Sequence, residues 1–226
     1  MYKAIIFDMD GVILDTEKLL MKCWQEAGQQ FNICIENKHL AKMRGGNINV
    51  IKAIFEDIFG KDVDFYKVRQ LREDIKDNYI LKNGIPVKEG IEDFFKYIKN
   101  NNIKMAVATS TVSEVALKYL KQLDFYKYFD TIICGDMIEN GKPNPDIYLE
   151  ACKKLNVEPK EALVFEDSRN GIWAGYKAGC DVIMVIDIDD TYEDTEDKII
   201  LKINDYKEAI NFLEKNKRDK GALHSE

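Results

Sequence analysis

Only four prolines and thirteen glycines occur among the 226 residues, too few for a collagen-like or low-complexity chain. Long apolar runs are missing as well. No stretch approaches the 18 residues that a membrane span requires, and no charged leader precedes an apolar segment near the N-terminus, so neither a membrane-spanning nor an exported protein is expected. The five cysteines, Cys23, Cys34, Cys134, Cys152 and Cys180, are odd in number and show no CxxC or CxxH spacing. They give no sign of a disulfide framework or a zinc site and fit a reducing cytoplasm. Basic runs are scarce: none exceeds the tail segment Lys215 to Lys220, and the formal net charge is -7, so no nucleic-acid partner is expected. A small anion is a different matter, because one divalent metal and one or two lysines reverse the local charge.

What the chain does contain is enough for a packed globular domain: 46% hydrophobic and 11% aromatic residues, with 32% charged. Its length suits one α/β core with a smaller insert. Short apolar runs rich in β-branched residues fall at Ala4 to Phe7, Lys104 to Ala108, Thr131 to Cys134, Ala162 to Phe165 and Asp181 to Ile186. Their hydrophobicity is continuous rather than alternating, which marks strands covered on both faces, as in a parallel sheet. Helical periodicity separates them. Ile91, Phe94, Phe95 and Ile98 fall at i, i+3, i+4 and i+7; Ser113 stands as an N-cap before Val115, Tyr119 and Leu120; Asn144-Pro145 takes the N-cap and N1 positions of a further helix. Strands alternating with helices predict an α/β fold, a doubly wound, Rossmann-like parallel sheet.

One interval breaks the alternation. From about Thr16 to Gly84 there are only helical patterns, Lys18 to Gln30, Val50 to Phe59 and Phe65 to Leu81, with turn signals at Arg44-Gly45-Gly46-Asn47 and Gly60-Lys61-Asp62. The expected organisation is a core domain of residues 1–15 and 85–226 with an all-helical cap of residues 16–84 over the strand ends. The alternative is a crossover elaborated into helices without a function of its own. The charged tail from Asn216 to Glu226, interrupted by Gly221, is expected to fray.

Ligands of open parallel sheets bind outside the carboxyl ends of the strands. Asp8 and Asp10 follow the first run, Thr109, Ser110 and Thr111 the second, Lys142 the loop after the third, and Glu166, Asp167 and Ser168 the fourth. Clustered carboxylates are tolerable beside a divalent cation, and all-oxygen ligation suits Mg²⁺. Such a metal screens repulsion between an aspartate nucleophile and a phosphate dianion, while Thr109 and Lys142 supply hydrogen bonds and positive charge to the phosphoryl group. Each element alone is a common turn or cap feature; the four in order after apolar strands are not.

The stretches Phe7-Asp8-Met9-Asp10-Gly11-Val12-Ile13-Leu14-Asp15-Thr16, Ala108-Thr109-Ser110, Gly141-Lys142-Pro143-Asn144-Pro145-Asp146 and Phe165-Glu166-Asp167-Ser168-Arg169-Asn170-Gly171 resemble the haloacid dehalogenase-like hydrolases. The resemblance is strongest to the branch with a helical cap after the first motif, which includes sugar-phosphate phosphatases and β-phosphoglucomutases. It implies that Asp8 is nucleophile and metal ligand, and that Asp10 is acid and base and ligates Mg²⁺ through its backbone carbonyl. It further implies that Thr109, Ser110 and Lys142 hold the phosphate, that Asp167 completes the metal site with Glu166 assisting, and that Gly171, Gly175 and Gly179 serve packing.

Four other readings compete with a phosphatase. Dehalogenating members lack the acid/base aspartate that Asp10 represents. A phospho-accepting receiver domain has its acid pair after the first strand and no helical insert, and a silent binding protein has no use for a complete motif set. A β-phosphoglucomutase-like enzyme is the closest rival, but its cap histidine has no counterpart in Glu17-Lys18-Leu19-Leu20-Met21-Lys22, and Asn47, Ile48 and Asn49 follow Gly46 where its arginine is expected. The expectation is therefore a cytoplasmic, monomeric phosphatase of a small phosphorylated metabolite, with Arg44, Gly45 and Gly46 of the cap loop at the substrate; the alternative for Arg44 is an exposed turn residue.

Overall fold

The structure is a computed structural model that describes residues 2–43, 48–188 and 192–222. Arg44, Gly45 and Gly46, assigned above to the substrate, lie outside the described residues. Six parallel strands form one sheet in the order β3-β2-β1-β4-β5-β6, where β1 is Ala4–Phe7, β2 Lys104–Ala108, β3 Thr131–Ile133, β4 Ala162–Glu166, β5 Asp181–Val185 and β6 Leu201–Ile203. The doubly wound sheet expected from the continuous apolar runs is present. β1 lies at its centre, with Ala4 in register with Lys104 on one side and Ala162 on the other.

Successive side chains of a strand point to opposite faces, so the inner strands are apolar along the stretch covered on both faces. Ile5 and Phe7 join Phe94, Phe95 and Ile98 of α5 (Ile91–Asn100), Leu120 of α6 (Ser113–Gln122) and Tyr206 of α9 (Tyr206–Ala222). Ala4 and Ile6 join Ile147, Tyr148 and Ala151 of α7 (Asp146–Leu155) and Ile172 and Ala174 of α8 (Arg169–Ala178) on the other face. Phe7 meets Phe95 edge-on at 5.4 Å and stacks on Phe165 at 5.3 Å, so the strand ends that carry the acidic residues rest on a packed aromatic layer.

Between β1 and α5 run four helices, α1 (Glu17–Gln30), α2 (Asn37–Met43), α3 (Ile48–Phe59) and α4 (Phe65–Asn83). They enclose a separate apolar cluster around Trp24, Leu40, Met43, Phe55, Phe65 and Val68. The chain leaves and re-enters the sheet region side by side: the Asp15 amide donates to the Pro86 carbonyl and the Lys88 amide to that of Ile13, both at 3.0 Å. Among the described residues no helix is long and apolar enough to cross a membrane.

Several local expectations need correction. β6 and α2 were not foreseen, since Leu201-Lys202-Ile203 is too short to register as an apolar run and Asn37–Met43 is a two-turn helix with only Leu40 and Met43 buried. Ser113 is the first residue of α6 rather than its cap, because its amide and hydroxyl both donate to Asp136. α7 starts one residue later than expected, with Pro145 at the cap position and the Asn144 side chain donating to the Gly141 carbonyl. α9 continues through the tail to Ala222, and the ammonium group of Lys217 ties it to Asn101 at 2.6 Å.

Candidate active site

β1 delivers Asp8 to the sheet edge, where its amide donates to the Phe165 carbonyl at 3.0 Å. The chain then turns through Gly11, whose φ of 79° favours glycine and where a Cβ would collide with the Asp167 carboxylate. That close approach brings the ends of β1 and β4 together. One oxygen each from Asp8, Glu166 and Asp167 lies within 4.8 Å of the other two, and all three residues are buried. An all-carboxylate set of this spacing suits a hard cation such as Mg²⁺. Burial pushes the Asp8 carboxyl up to about 8 despite the Lys142 charge, which opposes it, with Glu166 and Asp10 adding to the rise. Asp167 is also held well above the usual carboxylate range by burial and then by the charges of Glu17, Glu166 and Asp8. This concentration of negative charge, costly by itself, is what a divalent cation relieves.

Lys142, 2% exposed, crosses from the β3–α7 loop to the same point. Its Nζ donates to Asp8 Oδ1, to Glu166 Oε1 at 2.6 Å and to the Ala108 carbonyl at 3.1 Å. Burial alone would lower its pKa, but the charges of Asp8 and Glu166 outweigh this and hold it above its ordinary value, so Lys142 is a fixed cation. Glu166 is the hub beneath it. Its Oε1 also accepts from the Tyr148 hydroxyl at 2.7 Å, and its Oε2 accepts from the amides of Asp167 and Ser168 and the Ser168 hydroxyl. With both oxygens engaged by protein donors, Glu166 fixes Lys142 while remaining within 4.8 Å of a carboxylate oxygen of Asp8 and of Asp167.

Asp10 follows two residues after Asp8. Its Oδ1 accepts from Thr16 and its Oδ2 from Thr111, each at 2.8 Å. Thr16 occupies the cap position of α1, yet its hydroxyl serves Asp10 instead of capping the helix. Thr109, 1% exposed, accepts from the Thr111 amide at 3.0 Å. Ser110, the next residue, lines a cleft of about 170 Å³ with Ile48 and Asn49 of α3 and Ile138 and Glu139 of the core. The structure therefore brings together Asp8, Lys142, Glu166 and Asp167, links Asp10 to Thr109 through Thr111, and places Ser110 at the cleft with Gly141. Sequence reasoning missed Tyr148, and it quoted Thr16 and Thr111 without giving them a role. Tyr148 carries no sequence signal beyond its place on the apolar face of α7.

Residues 5–185 match the family model of the haloacid dehalogenase-like hydrolases. The chain belongs to that family. Within it, a phosphorylated carbohydrates phosphatase of Thermotoga maritima is 37% identical over 185 residues, covering 80% of this chain and 83% of that protein. A fructose-1-phosphate phosphatase of Escherichia coli is 29% identical, covering 81% and 96%, and a β-phosphoglucomutase of Bacillus subtilis is 31% identical, covering 78% and 80%. Among solved structures, the β-phosphoglucomutase of Clostridium difficile superposes with a TM-score of 0.76 at 25% identity, over 99% of this chain and all of that one. A hydrolase from Pseudomonas syringae, 20% identical over 95% and 99% of the two chains, reaches 0.81 and speaks for the fold alone.

Proposed function

We propose that the protein is a Mg²⁺-dependent phosphatase that hydrolyses a small phosphate ester, a sugar phosphate before others, through an aspartyl-phosphate at Asp8. The observation that carries this reading is Lys142 joining Asp8 to Glu166 with Asp167 beside them, while two threonine hydroxyls hold the Asp10 carboxylate. The phosphatase and phosphomutase relatives agree with chemistry on phosphorus.

Asp8 attacks the phosphorus, and the bond to the leaving oxygen breaks as the new O–P bond forms. Asp10 gives its proton to the leaving oxygen. It then takes a proton from water, whose oxygen attacks the same phosphorus, frees inorganic phosphate and restores the Asp8 carboxylate. Lys142 remains charged throughout and offsets the charge on the phosphoryl oxygens, and the Thr109 hydroxyl donates to one of them. Asp8 and Asp167 would hold Mg²⁺, with the Asp10 carbonyl as the family resemblance implies; bound there, the ion screens the carboxylate–phosphate repulsion. Glu166 acts at one remove by fixing Lys142.

Residues 16–84 are assigned as the cap and residues 1–15 and 85–226 as the core, since the four helices have their own apolar cluster and meet the catalytic edge at Ile48 and Asn49. Hydrolysis is preferred over mutase chemistry because α1 has no histidine between Glu17 and Lys22, and Ile48 stands near where the mutase arginine is expected. Purified protein screened with Mg²⁺ against a panel of phosphate esters tests the reading: steady release of inorganic phosphate from small sugar phosphates supports it, and no release from any ester overturns it.

A further inference from the structure

All five cysteines are free, and packing brings two of them together. Cys152 lies on α7 and Cys180 directly precedes β5, 28 residues later in the chain, yet their Sγ atoms are 3.9 Å apart and one thiol donates to the other. Both belong to the apolar cluster on one face of the sheet, 2% and 6% exposed. Among the described residues no third His, Cys, Asp or Glu joins them in a metal-holding group, so the pair stands as a dithiol. Burial in apolar surroundings usually leaves a thiol inert, but the contact gives these two different roles. The hydrogen bond from Cys180 holds the Cys152 thiol below its ordinary value against the effect of burial. The same bond, with burial adding to it, pushes Cys180 far above. Cys152 is therefore the member that gives up its proton more readily, and Cys180 is the protonated neighbour beside it.

We infer that Cys152 and Cys180 are a reversible redox pair, oxidised by a small hydroperoxide to an intramolecular disulfide that slows turnover. Their enclosure selects the oxidant: hydrogen peroxide is close to water in size, whereas a disulfide such as oxidised glutathione is too bulky to reach sulfurs this buried. The Cys152 thiolate attacks one peroxide oxygen, the O–O bond breaks, and the departing oxygen takes up the proton that Cys152 released and leaves as water. The Cys180 sulfur then attacks the Cys152 sulfenic acid, and its S–H proton leaves with the hydroxyl as a second water. Two thiols have lost two electrons and two protons, and the peroxide has become two waters. The bond closes a ring that contains β4 with Glu166 and Asp167. Because a disulfide is about 2.05 Å long, the sulfurs have to approach by about 1.9 Å, which draws α7 and the segment after α8 together. Tyr148 lies one turn before Cys152 on the same face of α7 and donates to Glu166, so the movement is passed through Glu166 to Lys142. The effect on turnover rests on the phosphatase reading; the bridge itself does not.

The test exposes the reduced full-length protein to a tenfold molar excess of hydrogen peroxide, alkylates the remaining thiols and reads the mass of the whole chain and of its proteolytic fragments. The expected result is a fragment in which Cys152 is joined to Cys180, lost again on treatment with dithiothreitol. Cys34→Ala removes the exposed thiol and should leave the bridge unaffected, whereas Cys152→Ala and Cys180→Ala should each abolish it. Turnover of p-nitrophenyl phosphate with Mg²⁺ should fall at least fivefold as the bridge forms and recover with dithiothreitol, while both of these alanine variants keep their own rates under peroxide. Two independent variants keep the comparison valid if one of them folds poorly. Failure of the bridge to form, a bridge to Cys34 in its place, or a bridge that leaves turnover unchanged overturns the inference. If the reduced protein hydrolyses no ester at all, the phosphatase reading fails separately, and the fragment masses still decide whether the pair is oxidised to a disulfide.

Discussion

Gly171 leaves the space in which the Glu166 carboxylate lies, for a Cβ on Gly171 would overlap that carboxylate. Glu166 in turn holds Lys142 and Tyr148, so the first turn of α8 is shaped around the carboxylate that fixes Lys142. Gly171→Ala is expected to destabilise the fold by roughly 1–3 kcal/mol, the usual cost of overpacking, and to lower kcat at least tenfold by displacing Glu166. Gly175→Ala meets the Val182 and Val164 side chains first and should cost stability with little change in kcat. Denaturant titration and steady-state kinetics on both variants check this; equal kinetic losses would remove the distinction.

Asp8→Asn should abolish turnover and leave the fold intact, because an amide cannot supply the attacking oxygen. A residual rate above about a hundredth of wild type, against the factors of thousands expected, would count against Asp8 as nucleophile. The same variant has a stability signature. Burial raises the Asp8 pKa to about 8 from its ordinary value of 3.8, so the folded state binds more protons than the unfolded one between those values. Stability of the metal-free protein therefore falls as pH rises from about 4 to 8, and Asn removes that contribution. Metal-free Asp8→Asn should lose less stability than wild type across this window, measured by thermal melting at a series of pH values.

Excess chelator should stop catalysis and added Mg²⁺ should restore it. Ca²⁺ should inhibit, since its larger and looser shell spoils in-line geometry. Full activity in excess chelator would refute the metal assignment of Asp8 and Asp167.

Thr111→Val deletes one of the two hydroxyl donors to Asp10. A hydrogen bond to a charged group contributes about 1.5–3 kcal/mol, so kcat should drop roughly 10- to 100-fold while KM for a small ester changes little. A change confined to KM would mean that Thr111 binds substrate and does not position the acid.

Glucose 1-phosphate should release inorganic phosphate with little glucose 6-phosphate formed, even with a bisphosphate primer present. Isomerised product outrunning phosphate release tenfold, a preference of about 1.4 kcal/mol, would replace the phosphatase reading by the mutase.

The strand ends were legible because an inner parallel strand is apolar along the stretch covered on both faces, and the polar residue that ends each run marks the catalytic edge. Asp8, Thr109 and Asp167 could therefore be found from Ala4–Phe7, Lys104–Ala108 and the run from Ala162 without coordinates. What could not be found is what tertiary packing alone decides. Thr111 and Asp10 are 101 residues apart in sequence, and Tyr148 occupies a helix face on which a tyrosine is usually just core. β6 is missed for a simpler reason: three residues, one of them lysine, give no period to detect.

The paired crossing of Asp15 with Pro86 and of Ile13 with Lys88 has a consequence for how such chains diversify. Both ends of the helical segment are clamped to each other beside the end of β1, so a graft between residues 16 and 85 would leave the path of every sheet strand unchanged. Selectivity can then be inherited separately from chemistry. A chimera carrying the corresponding segment of a relative should keep the Asp8 machinery and acquire the donor's choice of ester.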